Sequence, residues 1–318
     1  MEFPKTLIKR NGYIERIKPF MRKNIAKVLT GQRRVGKSFL LYQLMDQLLV
    51  EEPDANIIYI NFEDFAFSHI QTAEDMHAYI MSKFRKEKYN YIFVDEIQEI
   101  VNFERVIRSL LLNENNDIYI TGSNAKMLSG ELATYLSGRY IEFSVYSLSY
   151  LEFLAFHKLE NNNESLYLYS RYGGLPYLIN LPLKDETVNE YLKSVYSTIV
   201  FRDVVSRYNL RNSSFLEKLV QFLSENIGNL FSAKNISDYL KSQHSTISVN
   251  QIQNYTEYLN NAFLIHRVGR YDLIGKRLFE IGEKYYFENM GLRNIVIGYR
   301  ITDRAKILEN LVYSHLLY

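Results

Sequence analysis

Residues Gly31 to Ser38 read GQRRVGKS, two glycines and a Lys-Ser pair at the spacing of a phosphate-cradling loop. A loop of this kind works only between a strand and a helix, so it constrains the fold on both sides of itself. The flanks comply: Ile25–Thr30 (IAKVLT) is a short β-branched run, and Phe39–Val50 (FLLYQLMDQLLV) repeats apolar residues at helical spacing. The backbone N–H groups of Gly31, Gln32, Arg33, Arg34, Val35 and Gly36 are expected to wrap the phosphates of a nucleoside triphosphate at the positive end of the following helix. Lys37 would neutralise phosphate charge, the Ser38 hydroxyl would bind Mg²⁺, and Phe39 opens the helix behind them.

Four more short apolar segments follow: Asn56–Asn61 (NIIYIN), Tyr91–Val94 (YIFV), Ile118–Thr121 (IYIT) and Tyr140–Phe143 (YIEF). Helical patterns separate them, notably Ala73–Phe84 and Phe103–Leu112. Strands alternating with helices predict an α/β fold built on a parallel sheet covered on both faces. Ligands on such sheets bind at the carboxyl ends of the strands, where the chemistry-bearing residues of this chain fall.

The segment YIFVDEIQE ends an apolar strand in Asp95 and Glu96. Asp95 is expected to hold Mg²⁺ opposite Ser38, and Glu96 to orient and deprotonate an attacking water. A base beside the metal ligand points to hydrolysis of the triphosphate rather than storage of bound nucleotide. The next strand, DIYITGSN, ends in small polar groups, of which Ser123 or Asn124, with Thr121 as a third choice, would report on the γ-phosphate. Turn chemistry alone also favours Gly-Ser-Asn at such a place. Arg139, before the fifth strand, is either a surface cation or a guanidinium that stabilises charge developing on transfer. Gly173-Gly174-Leu175-Pro176 is a rigid turn that joins two helices or packs Pro176 on an adenine face.

Further along, Glu160–Ser165 (ENNNES) reads as a surface loop, and a mainly helical pattern runs to about Leu230. Ala233–Lys241 and Val249–Asn260 follow as short helices with Ser232 and Ser248 as N-caps, then a strand over Phe263–Val268. Gly269 and Gly275 mark turns of a hairpin, completing a winged-helix outline. The 318 residues carry no cysteine, which excludes disulfides, a thiolate nucleophile and a zinc–thiolate site. The first 40 residues hold eleven Lys or Arg against Glu2 and Glu15, within a net charge of +2. Beyond those serving the triphosphate, these cations are expected to be solvated surface rather than a nucleic-acid patch. Without a long apolar run or a signal-like leader, the expectation is a soluble cytoplasmic protein with no membrane partner.

GQRRVGKS, YIFVDEIQ, TGSN, LSGRY with YSLSYLEF, and GGLPYLI occur in this order. Together with FRDVVSRYNLRN and KILENLVYSHLL downstream, they resemble the AAA+-type P-loop ATPases of bacteria and archaea that carry a C-terminal domain of unknown function. The resemblance implies strand order 5-1-4-3-2, a helical lid and a winged helix. It divides the chain into an ATPase core (1–155), a lid (156–211), a winged-helix-like domain (212–300) and the start of a truncated nuclease-like region (301–318). It also implies Ser123 or Asn124 as sensor, Arg139 as an arginine finger acting in cis or in trans, and Gly174 with Pro176 at the adenine. Glu309 would match the first acidic residue of the nuclease core, but one carboxylate cannot assemble a metal-dependent nuclease site.

The leading expectation is Mg²⁺-dependent ATP hydrolysis coupled to movement of the lid and winged helix, acting on a protein or DNA partner, with oligomer formation open. A slow nucleotide-dependent signalling switch or scaffold is the first alternative. The second is a DNA-binding regulator, whose recognition helix would expose Asn250, Gln251, Gln253, Asn254 and Glu257 but offers no Lys or Arg to grip phosphates.

Overall fold

The computed structural model describes residues 4, 7–125, 135–242, 247–269 and 282–318. They fall into two compact units, one of residues 1–31 and 36–145 and one of residues 32–35 and 146–318. The middle of the glycine loop, Gln32–Val35, therefore groups with the second unit, while its ends belong to the first.

The first unit runs α1 (Asn11–Ile17), β1 (Ala26–Thr30), α2 (Lys37–Glu51), β2 (Asn56–Asn61), α3 (Ala73–Ser82), β3 (Asn90–Asp95), α4 (Phe103–Leu110), β4 (Asn116–Gly122) and β5 (Tyr140–Ser144). The strands form one five-stranded sheet in the order β2-β3-β4-β1-β5. Every pairing in it is parallel. This is the expected order 5-1-4-3-2 read from the other edge. The central strands β1, β3 and β4 are buried at every position, whereas β2 at one edge alternates buried and half-buried residues. That difference explains why the central strands read as continuous apolar runs. Val28, Ile92, Val94, Ile118 and Ile120 pack on one face with Met76 and Ile80 of α3 and Val106 and Ile107 of α4. Thr72 and Asp75 close a capping box that fixes where α3 begins.

The opposite face contains a buried charge. Lys27 and Asp117 are both fully buried and form an ion pair. The Lys27 ammonium also donates to the Ile25 carbonyl at 2.8 Å and lies 4.7 Å from the Tyr119 ring centroid. Asp117 accepts in addition from the Arg22 N–H at 2.7 Å and the Tyr119 hydroxyl at 2.8 Å. Burial pushes the Lys27 ammonium below the usual lysine range, and the Asp117 carboxylate opposes that shift. Next to this pair, Arg22 Nε donates to the Tyr91 hydroxyl at 2.8 Å and its Nη2 pairs with Glu52 at 3.1 Å. The expectation that spare N-terminal cations are solvated is therefore overturned for Lys27, and for Arg10, which is also buried. Strand register forces Lys27 into the sheet, and only the carboxylate on the neighbouring strand makes that tolerable.

In the second unit α5 (Tyr150–His157), α6 (Asn163–Tyr172) and α7 (Asp185–Thr198) lead into a π-helix over Ile199–Ser206. Next come α8 (Ser213–Glu225), α9 (Ala233–Ser242) and α10 (Val249–Asn261), followed by β6 (Ile265–Val268), β7 (Lys284–Phe287), α11 (Met290–Ile297) and α12 (Arg304–Leu316). Strands β6 and β7 pair antiparallel. Of the two turn glycines expected around the hairpin, Gly275 lies outside the described residues. Ser232 and Ser248 cap α9 and α10 as their sequence positions suggest, accepting from the N–H groups of Asn235 and Gln251. The polar run Glu160–Ser165 is not a loop throughout. Asn162 accepts from the Ser165 N–H at 2.9 Å and starts α6, so its second half is the first helical turn.

Two charged groups organise this unit. Arg293 of α11 is fully buried and donates to the Ser224 carbonyl at 2.9 Å and to Asp303 at 2.6 Å. Arg33 makes a bidentate pair with Asp203 of the π-helix, at 3.0 and 3.2 Å, with both side chains at most 5% exposed. Glu309 is engaged by Lys284 at 2.8 Å and the Tyr286 hydroxyl at 2.7 Å, and Lys284 holds its carboxyl below the usual range.

Removing one member of a buried pair strands the other charge, which costs about 3–5 kcal/mol. Lys27→Met should lower unfolding free energy by that order in urea titrations, and Lys27→Met/Asp117→Asn should recover part of it. Additive losses would show that the pair is not coupled. Asp203→Ala should destabilise the chain by a similar amount, about 3 kcal/mol, read as a lower urea midpoint.

Candidate functional site

The carboxyl ends of β1, β3 and β4 lie side by side because these strands are parallel neighbours in one register. What each delivers there follows from its last residues. After β1 the chain turns through positive φ at Gly31, Arg34 and Gly36, at +148°, +71° and +96°. Gly36 takes the N-cap of α2 in the left-handed region, with no side chain capping the helix. A side chain at Gly36 would be strained in that conformation, which is why the second glycine of the pattern is needed. Lys37 is buried and donates from Nζ to the Gly31 carbonyl at 2.9 Å, so it folds back across the loop.

Strand β3 supplies Asp95, only 1% exposed. It accepts hydrogen bonds from the hydroxyls of Ser38 and Thr121. Burial pushes its carboxyl above the usual range, against the pull of those two donors. The Glu96 backbone turns into the left-handed region at φ +54°, and its N–H donates to Thr121 Oγ at 2.9 Å. This turn brings the Glu96 carboxylate to the loop. Its Oε1 lies 3.8 Å from Lys37 Nζ, and its Oε2 accepts from Ser123 Oγ at 3.0 Å.

Lys37, Ser38, Asp95, Glu96, Thr121 and Ser123 are thus gathered into one buried polar cluster. Thr121, the third choice among the β4 residues, touches both acids. Asn124 is buried next in sequence to Ser123. Sequence reasoning missed Gln98, whose side-chain amide donates to Glu96 Oε2 and lies 3.3 Å from Ser123 Oγ. Its position two residues after the acid was the available signal. Ser38 Oγ and Asp95 offer oxygen only, the donor chemistry that a hard divalent cation such as Mg²⁺ takes. Among the described residues no group of three or more His, Cys, Asp or Glu forms a metal cluster of another kind.

Arg139 is not part of this cluster. It is exposed, and its carbonyl accepts from Ala26 N at 3.0 Å, at the amino end of β1. The glycine loop leaves the other end of that strand, roughly 15 Å away at about 3.3 Å per residue. Arg34 and Phe39 are exposed, whereas Gln32, Arg33 and Val35 are buried. In the second unit, Gln32 Nε2 donates to the Phe263 carbonyl at 2.8 Å. Pro176, half-buried, opens a short 3₁₀ turn. The glycines before it have packing reasons: Gly173 has φ +73°, and a Cβ on Gly174 would lie 2.4 Å from the Leu148 carbonyl oxygen.

The chain is similar to known proteins over most of its length. Residues 23–154 match the family described as AAA domain, and residues 163–303 match a domain of unknown function, DUF8612. An uncharacterised protein of Haemophilus influenzae is 36% identical over 98% of this chain and 79% of its own length. The uncharacterised protein MJ1544 of Methanocaldococcus jannaschii is 30% identical over 92% of this chain, which spans 66% of that protein. Among solved structures, a Walker-type ATPase of Pyrococcus abyssi shares the fold with a TM-score of 0.60 at 16% identity, over 92% of this chain and 96% of that one. The glycine loop, the acid-tipped neighbouring strand and the strand order agree with the family match: residues 23–154 form an AAA domain with a P-loop fold, and the chain belongs to one family with the uncharacterised Haemophilus influenzae protein.

Proposed function

We propose that the chain binds ATP with Mg²⁺ at Gly31–Ser38 and hydrolyses its terminal phosphate. The observation that carries this reading is the convergence of Lys37, Ser38, Asp95 and Glu96 in one buried cluster. In it Lys37 exchanges the Gly31 carbonyl for phosphate oxygens. Ser38 and Asp95 hold Mg²⁺, which when bound neutralises phosphate charge. Glu96 accepts a proton from the attacking water, and Ser123 and Asn124 register the γ-phosphate.

Arg139 is assigned to a neighbouring subunit's nucleotide rather than its own, given its place at the amino end of β1. Pro176 is assigned to the adenine face. The segments 156–211 and 212–300 act as lid and winged-helix-like module, and ATP turnover biases their arrangement to work on a protein or DNA partner. Support for such coupling comes from Arg33, a loop residue that is bidentate on Asp203 of the π-helix. A slow nucleotide-dependent switch is the second reading. It is favoured by the donors from Ser123 and Gln98 that already engage the Glu96 carboxylate.

Glu96→Gln should leave ATP affinity within about twofold while kcat falls by roughly 100-fold or more. Lys37→Ala should abolish binding of a fluorescent ATP analogue. Unchanged turnover in the first, or normal binding in the second, contradicts the assignment.

A further inference from the structure

The side chain of Gln98 is held at one end and unsatisfied at the other. Its amide nitrogen donates to Glu96 Oε2 and approaches Ser123 Oγ at 3.3 Å. A carboxylate only accepts, so the NH₂ group must face Glu96 and the carbonyl oxygen Oε1 must face elsewhere. That oxygen is buried and has no hydrogen-bond partner among the described residues. A buried acceptor left unmade is unfavourable, and in a catalytic cluster it marks a place where a donor belongs.

We infer that Gln98 orients the attacking water, accepting one of its hydrogens at Oε1 while its amide nitrogen fixes the Glu96 carboxylate. This rests on the hydrolytic reading above and deepens it. Glu96 Oε2 is engaged by Ser123 and Gln98, so Oε1, on the Lys37 side, is the atom that takes the second hydrogen. With both hydrogens held, the lone pair of the water oxygen points at the γ-phosphorus. The oxygen–phosphorus bond forms as the bridging bond to the β-phosphate breaks. One proton passes to Glu96, the other stays on the new phosphate oxygen beside Gln98, and ADP leaves with the bridging oxygen. Gln98 neither gains nor loses a proton. Its contribution is orientation, for which a misplacement of about 1 Å lowers a rate roughly 100-fold.

The test compares Gln98→Leu and Gln98→Asn with the wild type and with Glu96→Gln, measuring kcat, KM, binding of a fluorescent ATP analogue and thermal midpoint. Gln98→Leu should lose kcat by about 100-fold, with KM, analogue binding and thermal midpoint unchanged. Gln98→Asn keeps an amide but shortens its reach, and should fall in between. In the Glu96→Gln background, adding Gln98→Leu should lower residual turnover further, because the water loses its second anchor. If that addition changes nothing, Gln98 acts only through Glu96 and the inference is overturned. Normal kcat in both Gln98 variants, or a raised KM at unchanged kcat, overturns it while leaving hydrolysis intact. A wild type without turnover, or a fully active Glu96→Gln, overturns the hydrolytic reading and this inference with it.

Discussion

A carboxylate buried at the end of a central strand is the constraint on which the first unit of this molecule depends. Asp95, 1% exposed, is stabilised by hydroxyls from two other elements, Ser38 at the start of α2 and Thr121 at the end of β4. Those contacts require the strands to lie parallel and in register, and the loop after β1 to turn sharply enough for α2 to begin where it does. The same Thr121 hydroxyl that donates to Asp95 accepts from the Glu96 N–H, so the fold of one acid fixes the backbone of the next. Burial raises the Asp95 carboxyl, and a divalent cation bound beside it would pull the other way, favouring the carboxylate. Together with the Lys27–Asp117 pair, this polar cluster interrupts the apolar pattern of the buried strands, as polar groups at functional sites do.

Much of this was legible because the signals were local. The glycine loop, the apolar runs of β1, β3 and β4, and the Ser caps of α9 and α10 each depend on a few adjacent residues. Asn162 misled for an equally local reason: a run of Asn reads as loop chemistry, yet the last one is an N-cap. The failures that matter are non-local. Lys27 is indistinguishable from its neighbouring surface cations until Asp117, on the strand beside it, is known to face it. Gln98 gains meaning only when the left-handed turn at Glu96 brings its amide back onto the acid. The place of Arg139 at the amino end of β1 is a fact of register, which no spacing rule supplies.

The remaining charges bear on the kind of partner. A duplex-binding surface needs cations available to displace counterions, because phosphate contacts carry most of the affinity. In the second unit three of the described cations near the hairpin are turned to other uses: Arg267 pairs with Glu283, Lys284 with Glu309, and Lys241 with Asp238. The exposed face of α10 offers Asn250, Gln253 and Asn254 beside the anionic Glu257. Side chains of that kind read base edges only after something else has anchored the backbone. Gripping phosphate here would require breaking ion pairs that the hairpin and α12 already use, each at the expense of leaving a carboxylate next to DNA. In the N-terminal segment Arg10, Lys27, Arg33 and Lys37 are buried, whereas Lys9, Arg16, Lys18, Lys23 and Arg34 are exposed. Hydrogen-bonding amides beside an anionic side chain give the exposed face of α10 little with which to hold a polyanion.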